Sequence, residues 1–165
     1  YCASTQYLYG DEYVVLIRRV GLRPAHIMYY YTLQHVKYYD RLRELLSNDD
    51  DYDAFCTANR LKTQWVQSFA FLARLYKSGC IGSRAVRSFC KNVVRVAYGT
   101  LRDNPIYLEM VVTIVQHFPS RVVAPHTAAI MRIIQTLSAR KKWGRLRFML
   151  LNAFDKNNTT HLLQR

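Results

Sequence analysis

From Arg60 to Asp155 the apolar residues recur three and four apart, in runs cut by glycine or proline, and no convincing run alternates with period two. Ridges spaced in this way suit helices that bury one face, and they do not suit a pleated sheet. Val86, Phe89, Cys90, Val93, Val94 and Ala97 form one such stripe; Leu61, Trp65, Phe69, Leu72 and Tyr76 form another. Tyr107, Leu108, Val111, Val112, Ile114, Val115 and Phe118 make a third segment apolar nearly all round, which predicts a helix at the centre of its neighbours. The fold class expected is therefore all-α.

The breaks delimit the segments. A short helix is predicted over Asp11–Val20, with acidic residues at its start and Arg18 and Arg19 at its end. Gly21 and Pro24 separate it from a long helix over Pro24–Leu46. Residues 1–10 show no period and read as a terminus. A short helix over Tyr52–Ala58 precedes a strong one over Arg60–Lys77, and Gly79 and Gly82 bracket a turn before the N-cap candidate Ser83. Asn104-Pro105 opens the central segment and Pro119 stops it; Pro125 opens the next, with Ala128, Met131, Ile134 and Leu137 facing inward. Helices of similar size joined by short loops predict antiparallel neighbours and a helical-repeat stack.

Charge divides the chain. Residues 1–59 carry 6 Lys and Arg against 8 Asp and Glu, whereas residues 60–165 carry 18 against 3. The sequence thus reads as a Tyr-rich N-terminal helical segment, 1–59, forming the first repeats of the domain, followed by a basic helical region, 60–165. A field of that sign favours nucleic acid or an acidic protein. Arg84, Arg87, Lys91 and Arg95 run along one flank of their helix, and Arg140, Lys141 and Lys142 form a basic turn beside Trp143. These eight residues are the candidate RNA contacts; the alternative is an ordinary solvated face. The 13 tyrosines suit base stacking or, more commonly, the amphipathic edge of a core.

Several chemistries find no support. Asp49, Asp51 and Asp53 are spaced like the first ligands of a calcium loop, but Ala54 stands where that loop needs glycine and Arg60 where it needs glutamate. The four cysteines have neither Cys-x-x-Cys spacing nor a nearby histidine, so buried free thiols in a reducing compartment are expected. No Gly-rich phosphate loop, nucleophile motif or local carboxylate pair is present, so a non-catalytic protein without metal or cofactor is expected. No run of 18 apolar residues is long enough to span a membrane, and no membrane partner is expected. A chain beginning at Tyr1 is expected to be a piece of a longer one.

The stretch Gly144–Asp155 carries the most specific signal. At 100° per residue, Leu146, Met149, Leu150, Ala153 and Phe154 fall within roughly 140° of arc, while Phe148 lands almost opposite, among Arg145, Asn152 and Asp155. A phenylalanine turned away from its own helix's core either packs on a neighbouring element or anchors a partner. The run from Arg145 to Asp155, Arg-Leu-Arg-Phe-Met-Leu-Leu-Asn-Ala-Phe-Asp, resembles the closing helix of the middle domain of eukaryotic translation initiation factor 4 gamma, where the family carries Arg-Ile-Arg-Phe-Met-Leu-Gln-Asp-Val-Leu-Asp. Ser68–Gly82 is similar to a helix-and-turn of that family with a Gly-Glu-Leu-Phe-Lys core, and the resemblance extends over residues 63–157. Asn152 replaces an acidic residue, Lys156 departs from the family's Asp-Leu-Arg, and the first 60 residues do not align with the family.

The resemblance implies a HEAT-type solenoid, here of about four antiparallel helix pairs, acting as a cytoplasmic translation-initiation scaffold. It implies docking of a DEAD-box RNA helicase through Arg145, Arg147, Phe148, Asn152 and Asp155, with weak, non-specific mRNA contact beside it. A cap-binding protein would attach through regions outside this chain. Related middle-domain repeats also serve splicing, nonsense-mediated decay and deadenylation, and a structural subunit of a large ribonucleoprotein is a further alternative.

Overall fold

A computed structural model describes residues 10–46, 51–100, 106–139 and 144–163. The described residues are helical, with no strand among them. The helices are α1 (Gly10–Val20), α2 (Pro24–Leu46), α3 (Tyr52–Lys77), α4 (Ser83–Thr100), α5 (Ile106–His117), α6 (Ser120–Val123), α7 (Thr127–Ser138) and α8 (Gly144–Leu163), with a 3-10 turn, Ala124–His126, between α6 and α7. The chain divides into two compact units, Tyr1–Gly82 and Ser83–Arg165.

In the first unit, α1 and α2 both pack on α3. Ile27, Tyr31 and Leu42 bury one face of α2. Tyr38 on the same face stacks on Trp65 of α3, with ring centroids 6.2 Å apart and planes at 15°. Phe69 meets that indole edge-on at 6.1 Å. Both α1 and α3 end in the same way. At Gly79, φ is 77°, the Gly79 N–H donates to the Tyr76 carbonyl at 3.0 Å, and the Cys80 N–H reaches back to the Leu75 carbonyl at 2.9 Å. Gly21, φ 69°, does the same for α1 through Arg18 and Ile17. These left-handed positions satisfy the last carbonyls of the helix, and glycine takes them without steric penalty.

The predicted break near Ala58–Arg60 does not exist. α3 is one helix of 26 residues, and the expected boundary at 59/60 falls inside it, whereas the compact units meet at Gly82. Ala54 and Ala58 are buried and continue the Trp65, Phe69, Leu72, Tyr76 stripe backwards at helical spacing. Alanine carries too little apolar surface to announce that continuation in a hydropathy pattern. Within the acidic stretch Asp51 caps α3, its Oδ1 accepting from the N–H groups of Asp53 (3.0 Å) and Ala54 (3.1 Å), while Asp49 and Asp50 lie outside the described residues.

In the second unit α5 is central, as its uniform apolarity predicts. Tyr107, Leu108, Met110, Val111, Val112, Ile114 and Val115 are all buried, and α4, α6 and α8 pack around it. The one polar side chain buried in this helix, Thr113, donates its hydroxyl to the Glu109 carbonyl at 2.7 Å. The α4 stripe is buried as predicted. α7 differs in part: Ile134 and Leu137 are buried as predicted, with Ile130 and Ile133 beside them, while Ala128 is exposed and Met131 half-buried. The short α6 and the 3-10 turn precede α7 without a long loop. The Asn104-Pro105 helix start lies outside the described residues.

Candidate interaction surfaces

α8 presents the predicted outward phenylalanine. Leu150 is fully buried, and Ala153 and Phe154 are buried beside it, whereas Phe148 is 64% exposed. Arg145, Asn152 and Asp155 are exposed on the same side as Phe148. The helix thus anchors itself through one stripe on α5 and α7 and leaves an aromatic ring in a polar frame on the other. Arg147 does not join that frame. It is half-buried, and its buried Nε lacks a hydrogen-bond partner. Its helical phase explains this: Arg147 stands one turn before Leu150 and two before Phe154, on the edge of the packed stripe.

α4 carries the second surface. Arg84, Arg87, Lys91 and Arg95 are all exposed, as is Tyr98, at 50%. At 100° per residue the five fall within about 80° of arc, and they span about 21 Å along the axis. Tyr98 was not singled out by the sequence; only the ridge of cations, drawn one turn further, points to it. An aromatic ring at the end of a cationic ridge combines phosphate attraction with a stacking platform, the two elements of sequence-tolerant single-strand binding. The second unit has the charge to support it, with 14 Lys and Arg against 3 Asp and Glu. The remaining basic candidates, Arg140, Lys141, Lys142 and Trp143, lie outside the described residues.

His126 adjoins this ridge. It is buried, and its Nε2 has no hydrogen-bond partner. Burial, together with the charges of Lys91 and Arg87, holds the imidazole below the usual histidine range, against a hydrogen bond to the Arg87 backbone.

Among the described residues, no three His, Cys, Asp or Glu side chains are grouped to hold a metal ion. Cys56, Cys80 and Cys90 are free thiols, and burial pushes that of Cys90 up to about 12, which leaves it un-ionised and inert at neutral pH. No described helix is long and apolar enough to cross a membrane. Comparison with protein-family models, curated proteins and solved structures finds no match to this chain.

Proposed function

We propose that this protein is a non-catalytic scaffold module built from HEAT-type antiparallel helix pairs, which docks a DEAD-box RNA helicase through α8 and contacts mRNA through α4. The observation that carries the docking role is Phe148: a large aromatic side chain exposed on a helix that buries Leu150, Ala153 and Phe154 on its opposite face. Exposed aromatics framed by polar groups are the side chains that dominate protein interfaces once buried. Pairwise packing of α2 with α3, α4 with α5 and α7 with α8 supports a repeat built from consecutive helices. The choice of helicase as partner rests on the Arg145–Met149 run and its resemblance to the initiation-factor middle domain; the comparisons add nothing to it.

Affinity capture with the whole chain, followed by mass spectrometry, tests the assignment. A translation-type DEAD-box helicase should be retained by the native chain and lost with Phe148→Ala. Capture of exon-junction or deadenylase subunits instead would move the scaffold to splicing, decay or deadenylation. Capture of ribosomal proteins alone would make it a structural ribonucleoprotein subunit.

A further inference from the structure

The first unit holds a cavity that the scaffold reading does not use. It opens between α1, α2 and α3 with a volume of about 260 Å³. Ile17, Leu22, Ile27, Tyr31, Phe71 and Leu75 line it, and the lining is almost wholly apolar. An apolar protein cavity of about 150 Å³ is already large enough to take a benzene ring, so this one has room for a large aliphatic or aromatic side chain. His26 and Tyr30 stand at its wall and are themselves exposed, which makes the cavity an open pocket. The Arg18 guanidinium donates to the Ser78 carbonyl and ties the end of α1 to the end of α3 beside Leu75.

The chain that supplies the α1 and α2 walls of the pocket is cationic. Between Glu12 and Asp40 there is no acidic residue, whereas Arg18, Arg19, Arg23 and Lys37 all fall in that interval. Arg19 and Arg23 are exposed and flank Leu22 at the turn from α1 into α2. Arg18 and Arg23 are the cations placed beside the pocket, Arg18 through its bond to Ser78 and Arg23 next to the lining Leu22, although the rest of residues 1–59 is acidic on balance.

We infer that the pocket is a docking site for an acidic peptide segment that inserts one large apolar side chain. The apolar wall accounts for the anchor and the arginine rim for the carboxylates around it; neither alone selects a partner, but together they define one. A phospholipid surface is the competing occupant, because Tyr29, Leu33 and Val36 expose an apolar face on α2 of the kind membrane-surface helices present. The pocket itself is recessed and drawn from three helices, which suits a single inserted side chain.

The test is fluorescence anisotropy on the whole chain, with a labelled synthetic helical peptide bearing Asp and Glu around a single Trp. The native chain should bind it. Replacing the peptide's Trp with Ala, or its acids with Lys, should weaken binding at least about tenfold, and so should the protein variant Arg19→Glu with Arg23→Glu. Tyr30→Ala, whose ring is 53% exposed, should weaken binding with an unchanged melting temperature. A peptide with a photoreactive benzophenone in place of Trp should cross-link to Leu22, His26 or Tyr30. Failure of the peptide to bind, equal affinity of the arginine variant, or cross-links confined to the second unit would overturn the assignment. Binding to phosphatidylserine vesicles through Arg19 and Arg23, with the peptide ignored, would overturn it in favour of a membrane surface.

Discussion

At the residue scale, helical phase separates side chains that hold the fold from those left exposed, and two neighbours on α8 make the contrast. Phe148→Ala removes an exposed ring, so the melting temperature should move by no more than about 3 °C, while helicase affinity should fall at least about tenfold. Leu150→Ala opens a cavity at a fully buried position and should cost roughly 2–5 kcal/mol in chemical denaturation. Equal destabilisation by both would place Phe148 in the core. Phe148, Arg145, Asn152 and Asp155 were legible from the sequence because a 100° step is enough to sort them. The same step puts Arg147 on the packed edge; the family motif had grouped it with residues that its phase separates.

His126 gives the residue scale a second test. Its folded pKa lies below the unfolded value of about 6.5, so the unfolded chain takes up the proton more readily. The histidine's contribution to stability is therefore full above about pH 6.5 and is lost as the pH falls from there towards the folded value. Thermal melts at about pH 7.5 and about pH 5.5 should show a larger loss for the native chain than for His126→Gln. An equal loss in both would assign the acid sensitivity to other groups.

At the element scale, ends were easier to read than continuity. Pro24–Leu46 and Ser83–Thr100 follow from proline, glycine and clean stripes. α3 was divided in two because its N-terminal turns bury only Ala54 and Ala58. The phase of α7 was present in the sequence, where Ile130, Ile133, Ile134 and Leu137 stand at i, i+3, i+4 and i+7; a stripe drawn through Ala128 and Met131 is a part-turn off. The C-terminus of α3 tests the turn chemistry. A Cβ added at Gly79 meets nothing within 4 Å, so the penalty of Gly79→Ala is conformational alone, about 1–2 kcal/mol for a left-handed residue. A neutral or stabilising result in urea titration would contradict that account. On α4, contact with about four phosphates predicts a logarithmic salt slope of about −3, roughly a fifty-fold loss of RNA affinity between about 50 and 200 mM salt. Charge reversal of Arg87, Lys91 and Arg95 together should flatten that slope; an unchanged slope would remove this ridge from the RNA footprint.

At the scale of the whole molecule, each unit has its own core and its own exposed chemistry. The first carries the arginine-rimmed pocket between α1, α2 and α3, and the second carries the Phe148 face and the α4 ridge. Charge composition alone drew the division at 59/60, because composition does not register a helix that runs through the change; packing moves it to Gly82. In the second unit, α5 packs against both α4 and α8, so the two exposed faces belong to helices secured on one central element. The central claim is that these faces do separate work. Helicase affinity and RNA affinity, measured side by side on the whole chain, test it most directly. The account predicts that Phe148→Ala loses the helicase and keeps RNA, and that the triple reversal at Arg87, Lys91 and Arg95 loses RNA and keeps the helicase. Folded variants that each lost both ligands, or neither, would contradict it.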